Sequence, residues 1–398
     1  MTLNQTRAEA ILKEMYPDKE VKSLTYKDRP HYAMLPKDET FFGDLRKVPL
    51  QYGNVNNRST NFAVAKAGNG YNRYTAFKTE RVKNYSFASI ENETILSTAN
   101  DDGAFINALE GTMNGAFDSL ANSLAFACLS DGSYKIGQRS SVSGSVITLS
   151  DANDTVNFEV GMEIEASATL SGGSIRSGYI TITKVDREAG ELTFSGTIVS
   201  FADNDYLYPR GDYGAAISGA GAWVPYGSGR ATALAATFFG VDRTLDETRL
   251  GGWYKDYSTL PIEEALVKFV TILCREGATP DCIFLNPVKW SELVLSLGSK
   301  VQYINTKVAE VGFEGVMIHG PKGAVKVYGD RWIPYDYAHV AQMDTWRLAS
   351  LGAPIRLFDT DGLRILRSQT VDGVDIQINS YSQVECKAPG YNGWVKLS

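Results

Sequence analysis

Histidine, cysteine and long apolar runs are all scarce in this chain, and each scarcity closes off a class of function. The three histidines, His31, His319 and His339, stand at no metal-ligand spacing with Cys, Asp or Glu, which argues against a zinc site. The four cysteines, Cys128, Cys274, Cys282 and Cys386, lie far apart and mostly inside apolar runs. They read as small buried hydrophobes in a chain made in a reducing compartment, not as a disulfide framework. No apolar run approaches the roughly eighteen residues a membrane helix needs, and the start Met1-Thr2-Leu3-Asn4-Gln5 is not that of a signal peptide. The expectation is therefore a protein folded in cytoplasm, with no membrane partner.

Catalytic and phosphate-binding motifs are missing too. Neither G-x-x-x-x-G-K-[ST] nor G-x-S-x-G occurs. Gly320-Pro-Lys-Gly323 has proline where a phosphate cradle needs a backbone N–H, so it reads as a turn. Gly227-Ser-Gly-Arg230 reads as a flexible connection. Asp359-Thr-Asp361-Gly lacks the further oxygen ligands of a calcium loop and is better taken as an Asx-turn. Arg210-Gly-Asp212 matches a cell-adhesion tripeptide of a kind that arises by chance. With no nucleophile and base to pair, the chain is expected to be neither an enzyme nor a cofactor binder.

What is present is an uneven charge on ordinary globular material. The 398 residues carry a net charge of −7, unlike a dedicated nucleic-acid binder. Between Tyr52 and Tyr85, however, Arg58, Lys66, Arg73, Lys78, Arg81 and Lys83 face one acid, Glu80, whereas residues 131–212 hold twelve acids against six bases. The basic stretch also carries Tyr52, Phe62, Tyr71, Tyr74, Phe77 and Tyr85 in loose alternation with polar residues, and Ala67-Gly-Asn-Gly70 offers a tip. A two-stranded ribbon without its own core is marginal in water, so this one is expected to reach another subunit. The ordinary alternative is a hairpin folded back on its own domain. Contact with single-stranded nucleic acid ranks lower, because the bases are spread along both strands.

Around the ribbon the chain falls into recognisable pieces. A weak amphipathic helix with Ile11, Leu12 and Met15 stops at Pro17, and Pro30, Pro36 and Pro49 predict an extended arm lying on a neighbour. After Asn100-Asp-Asp102, apolar residues at Phe105, Leu109, Met113, Phe117, Leu120, Leu124 and Cys128 predict one unbroken helix to Leu129, about 45 Å long. Short strands follow at 145–149, 161–166, 179–185 and 191–194, with Asp186-Arg-Glu-Ala-Gly190 at hairpin spacing, which predicts an inserted β-barrel or sandwich. An α/β region then pairs helices after Pro261 and Asn286-Pro287 with strands at 282–285, 316–319, 325–328 and 338–341. A hairpin through Asp372-Gly373 closes the chain, with Val374, Ile376 and Ile378 alternating against polar residues.

That order, without a catalytic set, resembles the major capsid proteins of tailed bacteriophages, of the Hong Kong 97 type. The resemblance rests most on Phe238-Phe-Gly-Val-Asp-Arg-Thr-Leu-Asp-Glu-Thr-Arg-Leu-Gly-Gly252, Phe284-Leu-Asn-Pro287, Gly312-Phe-Glu-Gly315, Ile318-His-Gly-Pro321 and Gln342-Met-Asp-Thr-Trp346. It implies an α+β Hong Kong 97-like fold: an N-terminal arm (1–47), an extended loop with flanking strands (48–98), a peripheral-domain spine helix (99–133), a β-barrel insertion domain (134–211), an axial domain (212–355) and a return to the peripheral domain (356–398). The implied function is self-assembly as pentamers and hexamers into an icosahedral shell around double-stranded DNA. Arg58, Lys66, Arg73, Lys78, Arg81 and Lys83 then make inter-subunit contacts from the extended loop.

The resemblance further implies a separate scaffolding protein, a portal, a decoration protein as a further candidate partner, DNA held on the inner face without sequence specificity, and a virion assembled in the bacterial cytoplasm. Some relatives join subunits through a Lys–Asn isopeptide bond promoted by a glutamate. Lys66 with Asn379 or Asn392, and Glu385 as promoter, match by residue type, although non-covalent interlocking is preferred. Two competing readings remain: an encapsulin-like cargo compartment, and a surface protein that binds a ligand through the β-insert.

Overall fold

The computed structural model describes residues 21, 24–55, 57–68, 70–91, 102–298, 303–308, 311–359, 366–367 and 372–398. The chain divides into two compact units, one of residues 1–126 and 223–398, the other of residues 127–222 inserted between them in sequence. The expected helix around Ile11, Leu12 and Met15 lies outside the described residues.

In the first unit, α1 (Pro30–Met34) and β1 (Lys37–Asp38) precede a hairpin of β2 (Leu45–Gly53) and β3 (Arg73–Glu80), whose connection carries α2 (Phe62–Ala67). Next come β4 (Val82–Glu91) and the long helix α3 (Asp102–Leu129). At 28 residues α3 is about 42 Å long. Its apolar positions Met113, Phe117, Leu120, Leu124 and Cys128 are all buried, as the three-and-four spacing predicts.

The arm is corrected by the structure. Residues 24–44 are not an extended strap for a neighbour: Pro30 sits at the first position of α1, where a missing N–H costs nothing. Tyr26, Tyr32, Leu35 and Phe41 are buried within their own chain. Arg29 bridges Asp118 at 3.1 Å, and Lys37–Asp38 pairs in parallel with a later strand.

The second unit is a closed barrel of β5 (Gly137–Ser143), β6 (Val146–Leu149), β7 (Glu163–Ser167), β8 (Gly178–Asp186), β9 (Glu191–Ile198) and β10 (Tyr206–Pro209), in the order β10-β5-β6-β9-β8-β7. Asp186 pairs with Glu191 across the expected hairpin. Ile147, Phe158, Ile164, Ile180, Leu192 and Leu207 fill the interior. Closure leaves no strand edge to aggregate. Arg210 of the Arg-Gly-Asp tripeptide is engaged locally, bonded to Glu163 at 2.7 Å and lying over the Tyr179 ring.

Back in the first unit, a seven-stranded sheet has the order β11-β21-β16-β12-β15-β14-β13, from β11 (Trp253–Asp256), β12 (Cys282–Leu285), β13 (Tyr303–Val308), β14 (Val311–Gly320), β15 (Gly323–Gly329), β16 (Tyr337–Ala341) and β21 (Gly393–Lys396). Helices α4 (Ile262–Arg275) and α5 (Pro287–Leu297) supply Leu266, Phe269, Val270 and Leu293 to the core they share with Ile283, Val327, Val340 and Val395. Gly320 pairs with Gly323, so that glycine cluster is a hairpin turn.

A second sheet joins β4 to β20 (Gly373–Cys386) over ten residue pairs and β20 to β17 (Trp346–Ser350), with the short β18 (Arg356–Leu357) and β19 (Leu366–Arg367) on the same strand. Two expected boundaries shift. Strand β17, inside the expected axial segment 212–355, belongs to the β20 sheet, while β21, inside the expected return segment 356–398, lies within the seven-stranded sheet. All four cysteines are free and buried. No helix among the described residues is long and apolar enough to cross a membrane.

Candidate assembly interface

The β2–β3 hairpin has a fixed base and an unpartnered far end. Register places Val48 opposite Phe77 on the inward side and Lys47 opposite Lys78 on the outward side. Phe77 is buried and meets Trp223 edge-on at 4.8 Å and Phe238 at 6.1 Å. Trp223 in turn donates from Nε1 to the Val384 carbonyl at 2.9 Å.

One strand turn along, Thr79 Oγ1 donates to Glu385 at 2.6 Å. Glu385 has no exposed surface and also receives Arg347 at 2.6 Å, with Arg46 at 3.9 Å. Asp38 completes this cluster, 2.7 Å from Arg46 and 3.4 Å from Arg347. Burial alone raises Asp38, but hydrogen bonds from Thr40 and Arg46 outweigh it and hold the carboxyl at about 2. The base is thus tied by aromatic packing and by a network of ion pairs and hydrogen bonds.

Beyond Gly53 the character reverses. Helix α2 begins at the Asn61 cap, whose side chain accepts from the Ala63 and Val64 amides, and it buries none of its residues. Phe62 is 81% exposed, Tyr71 94% and Tyr74 64%. Large aromatics left this open at one end of a hairpin mark a contact surface. Arg249 steadies the loop's root, donating to the Tyr52 carbonyl at 2.7 Å beside a groove of about 410 Å³.

Of the six basic residues singled out from the sequence, Arg58 and Lys66 lie on this loop, and Arg73 and Lys78 on β3; all four are exposed. Arg81 and Lys83 are a correction. Val82 already opens β4, which pairs with β20, so both stand outside the extended loop. Arg81 is partly buried over the Phe41 ring and donates to the Phe41 carbonyl. The tip is also corrected: Gly68 caps α2 at φ −78°, not in the left-handed conformation a tight turn needs.

Sequence reasoning passed over Lys47, which the register sets directly across from Lys78. Like charges opposite one another destabilise a strand pair, so this pair costs the isolated subunit stability. The alternation Lys47, Val48, Pro49, Leu50 was the available signal.

Burial argues against a covalent link at either named asparagine. Asn379 accepts from Arg356 at 3.1 Å, and Asn392 is hydrogen-bonded through both side-chain atoms to Trp346, Gln342, Thr345 and Ala388. Both asparagines are buried, and Glu385 is spent on its own chain's arginines. Among the described residues no group of His, Cys, Asp and Glu is placed to hold a metal.

No protein-family model matches this sequence, and no curated protein matches it. Solved structures do. The capsid asymmetric unit of cyanophage A-1(L) is 11% identical, covers 97% of this chain and 98% of its own, and superposes with a TM-score of 0.52. The holo-SrpI encapsulin complex of Synechococcus elongatus is 8% identical with a TM-score of 0.44 over 100% and 96% of the two chains. A Mycobacterium phage Ogopogo structure is 9% identical with a TM-score of 0.43 over 93% and 92%. The correspondence with the cyanophage structure runs end to end, so what the two chains share is their fold. The chain has the Hong Kong 97-type capsid fold, an α+β architecture with a six-stranded β-barrel inserted into it.

Proposed function

We propose that this chain is a major capsid protein, which assembles as pentamers and hexamers into the icosahedral shell that holds a tailed phage's double-stranded DNA. The observation that carries this reading is the match to a capsid subunit along nearly the whole of both chains. The hairpin supports it, because its far end has the composition of an interface and no core of its own.

In the proposed mechanism the loop of one subunit lies across its neighbour, over exposed aromatic and acidic groups such as Phe42, Tyr85, Phe87, Asp44 and Glu80. Burial of Phe62, Tyr71 and Tyr74 supplies most of the adhesion, at about 1.5–3 kcal/mol for each ring fully covered. Arg58, Lys66, Arg73 and Lys78, with Lys47, orient the loop; exposed ion pairs add only about 0–1 kcal/mol each. Each subunit makes several such contacts at once, so closure of a shell multiplies modest affinities. A separate scaffolding protein and a portal complete the assembly, which takes place in the host cytoplasm.

The test is negative-stain electron microscopy of the purified full chain, with and without candidate scaffold, beside a variant carrying Phe62→Ser and Tyr71→Ser. The expected result is closed particles or capsomers from the wild type, and a folded, soluble, unassembled subunit from the variant. A wild type that stays monomeric under both conditions, or a variant that builds normal shells, sinks the corresponding half of the proposal.

A further inference from the structure

The seven-stranded sheet has two unlike faces. Alternation along β12, β16 and β21 sends Ile283, Val340 and Val395 under the helices, and Phe284, His339 and Trp394 to the opposite face. That opposite face is closed by the N-terminal segment, through His31 of α1.

His31 meets the Phe284 ring edge-on at 4.9 Å and the His339 ring at 5.6 Å, while His339 stacks on Trp394 at 4.7 Å and meets Trp346 at 5.7 Å. Both imidazoles are at most 1% exposed, and none of their four ring nitrogens has a hydrogen-bond partner among the described residues. A neutral aliphatic or phenyl side chain would fill this place at lower cost than an imidazole whose nitrogens go unmatched. Two imidazoles meeting there are a charge-sensitive joint.

We propose that the His31–His339 contact is an acid-released latch, which holds residues 24–44 on the sheet at neutral pH and, when protonated, lets them go and slackens the base of the β2–β3 hairpin. The mechanical link is on the same segment: Asp38 bridges Arg46 of β2, and Phe41 lies under the Arg46 and Arg81 guanidinium groups.

The charges around the joint set its direction. From α1's own segment come Lys37 and Arg29, from β16 His339, and from the loop after β15 Arg331 and Asp330, whose carboxylate accepts from the His31 amide at 3.0 Å. The walls from β12, β17 and β21 are the uncharged Phe284, Trp346 and Trp394. Burial, then His339 and Lys37, holds His31 well below its ordinary value, and burial holds His339 at about 3.

Above pH about 6.5 both histidines are neutral whether docked or released, and acidity has no effect. Below it, the released segment binds a proton that the docked one refuses. Between pH 7 and 5 this favours release by about 25-fold per histidine exposed. Asp330 works in the opposite sense, since burial raises it and acid relieves that strain, but it contributes one proton against two. Asp38, held at about 2, does not titrate in this window.

The latch acts within one subunit, so its test does not depend on assembly. Hydrogen exchange read by mass spectrometry on the full chain, at pH 7 and 5 with intrinsic rates corrected, should show peptides from 24–44 losing about 25-fold or more of their protection, while barrel strands keep theirs. His31→Phe retains the edge-on packing and should remove that residue's share of the loss, about 25-fold, and His31→Phe/His339→Phe should abolish it; His339→Phe alone serves if the first variant does not fold. Protection of 24–44 that is unchanged in the wild type at pH 5, or lost equally in the phenylalanine variants, overturns the proposal.

Discussion

Glu385→Gln is the substitution whose effect can be worked most directly from the structure. It removes the charge but keeps the shape of a side chain with no exposed surface that holds Thr79, Arg347 and Arg46 together. Breaking a buried pair by neutralising one member typically costs about 3–5 kcal/mol, because the partner's charge is left uncompensated. Here Asp38 remains 3.4 Å from Arg347 and 2.7 Å from Arg46, which places the expected loss near the lower end, about 3 kcal/mol.

All six tryptophans lie in the first unit and none in the barrel, so urea denaturation of the unassembled subunit followed by tryptophan fluorescence reads the affected unit alone. A double-mutant cycle with Thr79→Val should return a coupling of about 1–2 kcal/mol. Removing both ions in Glu385→Leu/Arg347→Leu should recover much of the loss, since paired desolvation is then relieved. A Glu385→Gln subunit within about 0.5 kcal/mol of wild type, the scatter of a surface change, would refute the view that this network fixes the hairpin base.

Two further outcomes follow from local geometry. At Gly393 an added Cβ would sit 2.4 Å from Phe269 Cζ and 2.8 Å from the Trp253 carbonyl oxygen. Gly393→Ala should therefore cost about 1–3 kcal/mol by forcing β11 from β21, and an unshifted urea midpoint would contradict this. In the barrel, burial and then Glu165 push Asp212 up to about 6. A raised carboxyl is most stabilising below its ordinary value and loses that stability as pH climbs through 6. Asp212→Asn should thus strengthen hydrogen-exchange protection of the barrel strands at pH 8, by about 1 kcal/mol after allowance for partial solvent access, and leave it unchanged at pH 4. Equal effects at both values would exclude the charge as the cause.

Periodicity made much of the fold legible from the sequence. Helix α3 follows from seven apolar residues three or four apart, and β12 with its following helix cap from Cys282-Ile-Phe-Leu285-Asn286-Pro287, because each signal is local. The pairing of β4 with β20 was not legible, since Tyr85 and Asn379 meet across almost the length of the chain with no local cue. The arm was misread because a proline at the first position of a helix and one in an extended strap leave the same mark in a short polar stretch. At the interface, basic and aromatic residues announced themselves by composition. Only the register could separate Lys47 and Lys78, which face outward together, from Arg81, which turns back onto Phe41.

The hairpin's division into a tied base and a free end is also what an assembling subunit requires energetically. A six-residue helix is below the length at which isolated helices persist, about 12 residues, and α2 has no buried residue of its own to make up the deficit. If the whole hairpin were equally loose, docking would have to order both strands as well as the loop, at about 1–2 kcal/mol per residue of backbone entropy. Phe77, Thr79 and Glu385 meet that cost during folding, before any neighbour arrives. Only the residues between Gly53 and Arg73 are left to settle on contact, so three exposed rings and a handful of charges suffice to make the contact favourable. The same economy explains why the anchor matters more than any one surface charge. Loss of Lys66 removes one screened pair, whereas loss of the base returns the ordering cost of two strands to every contact in the shell.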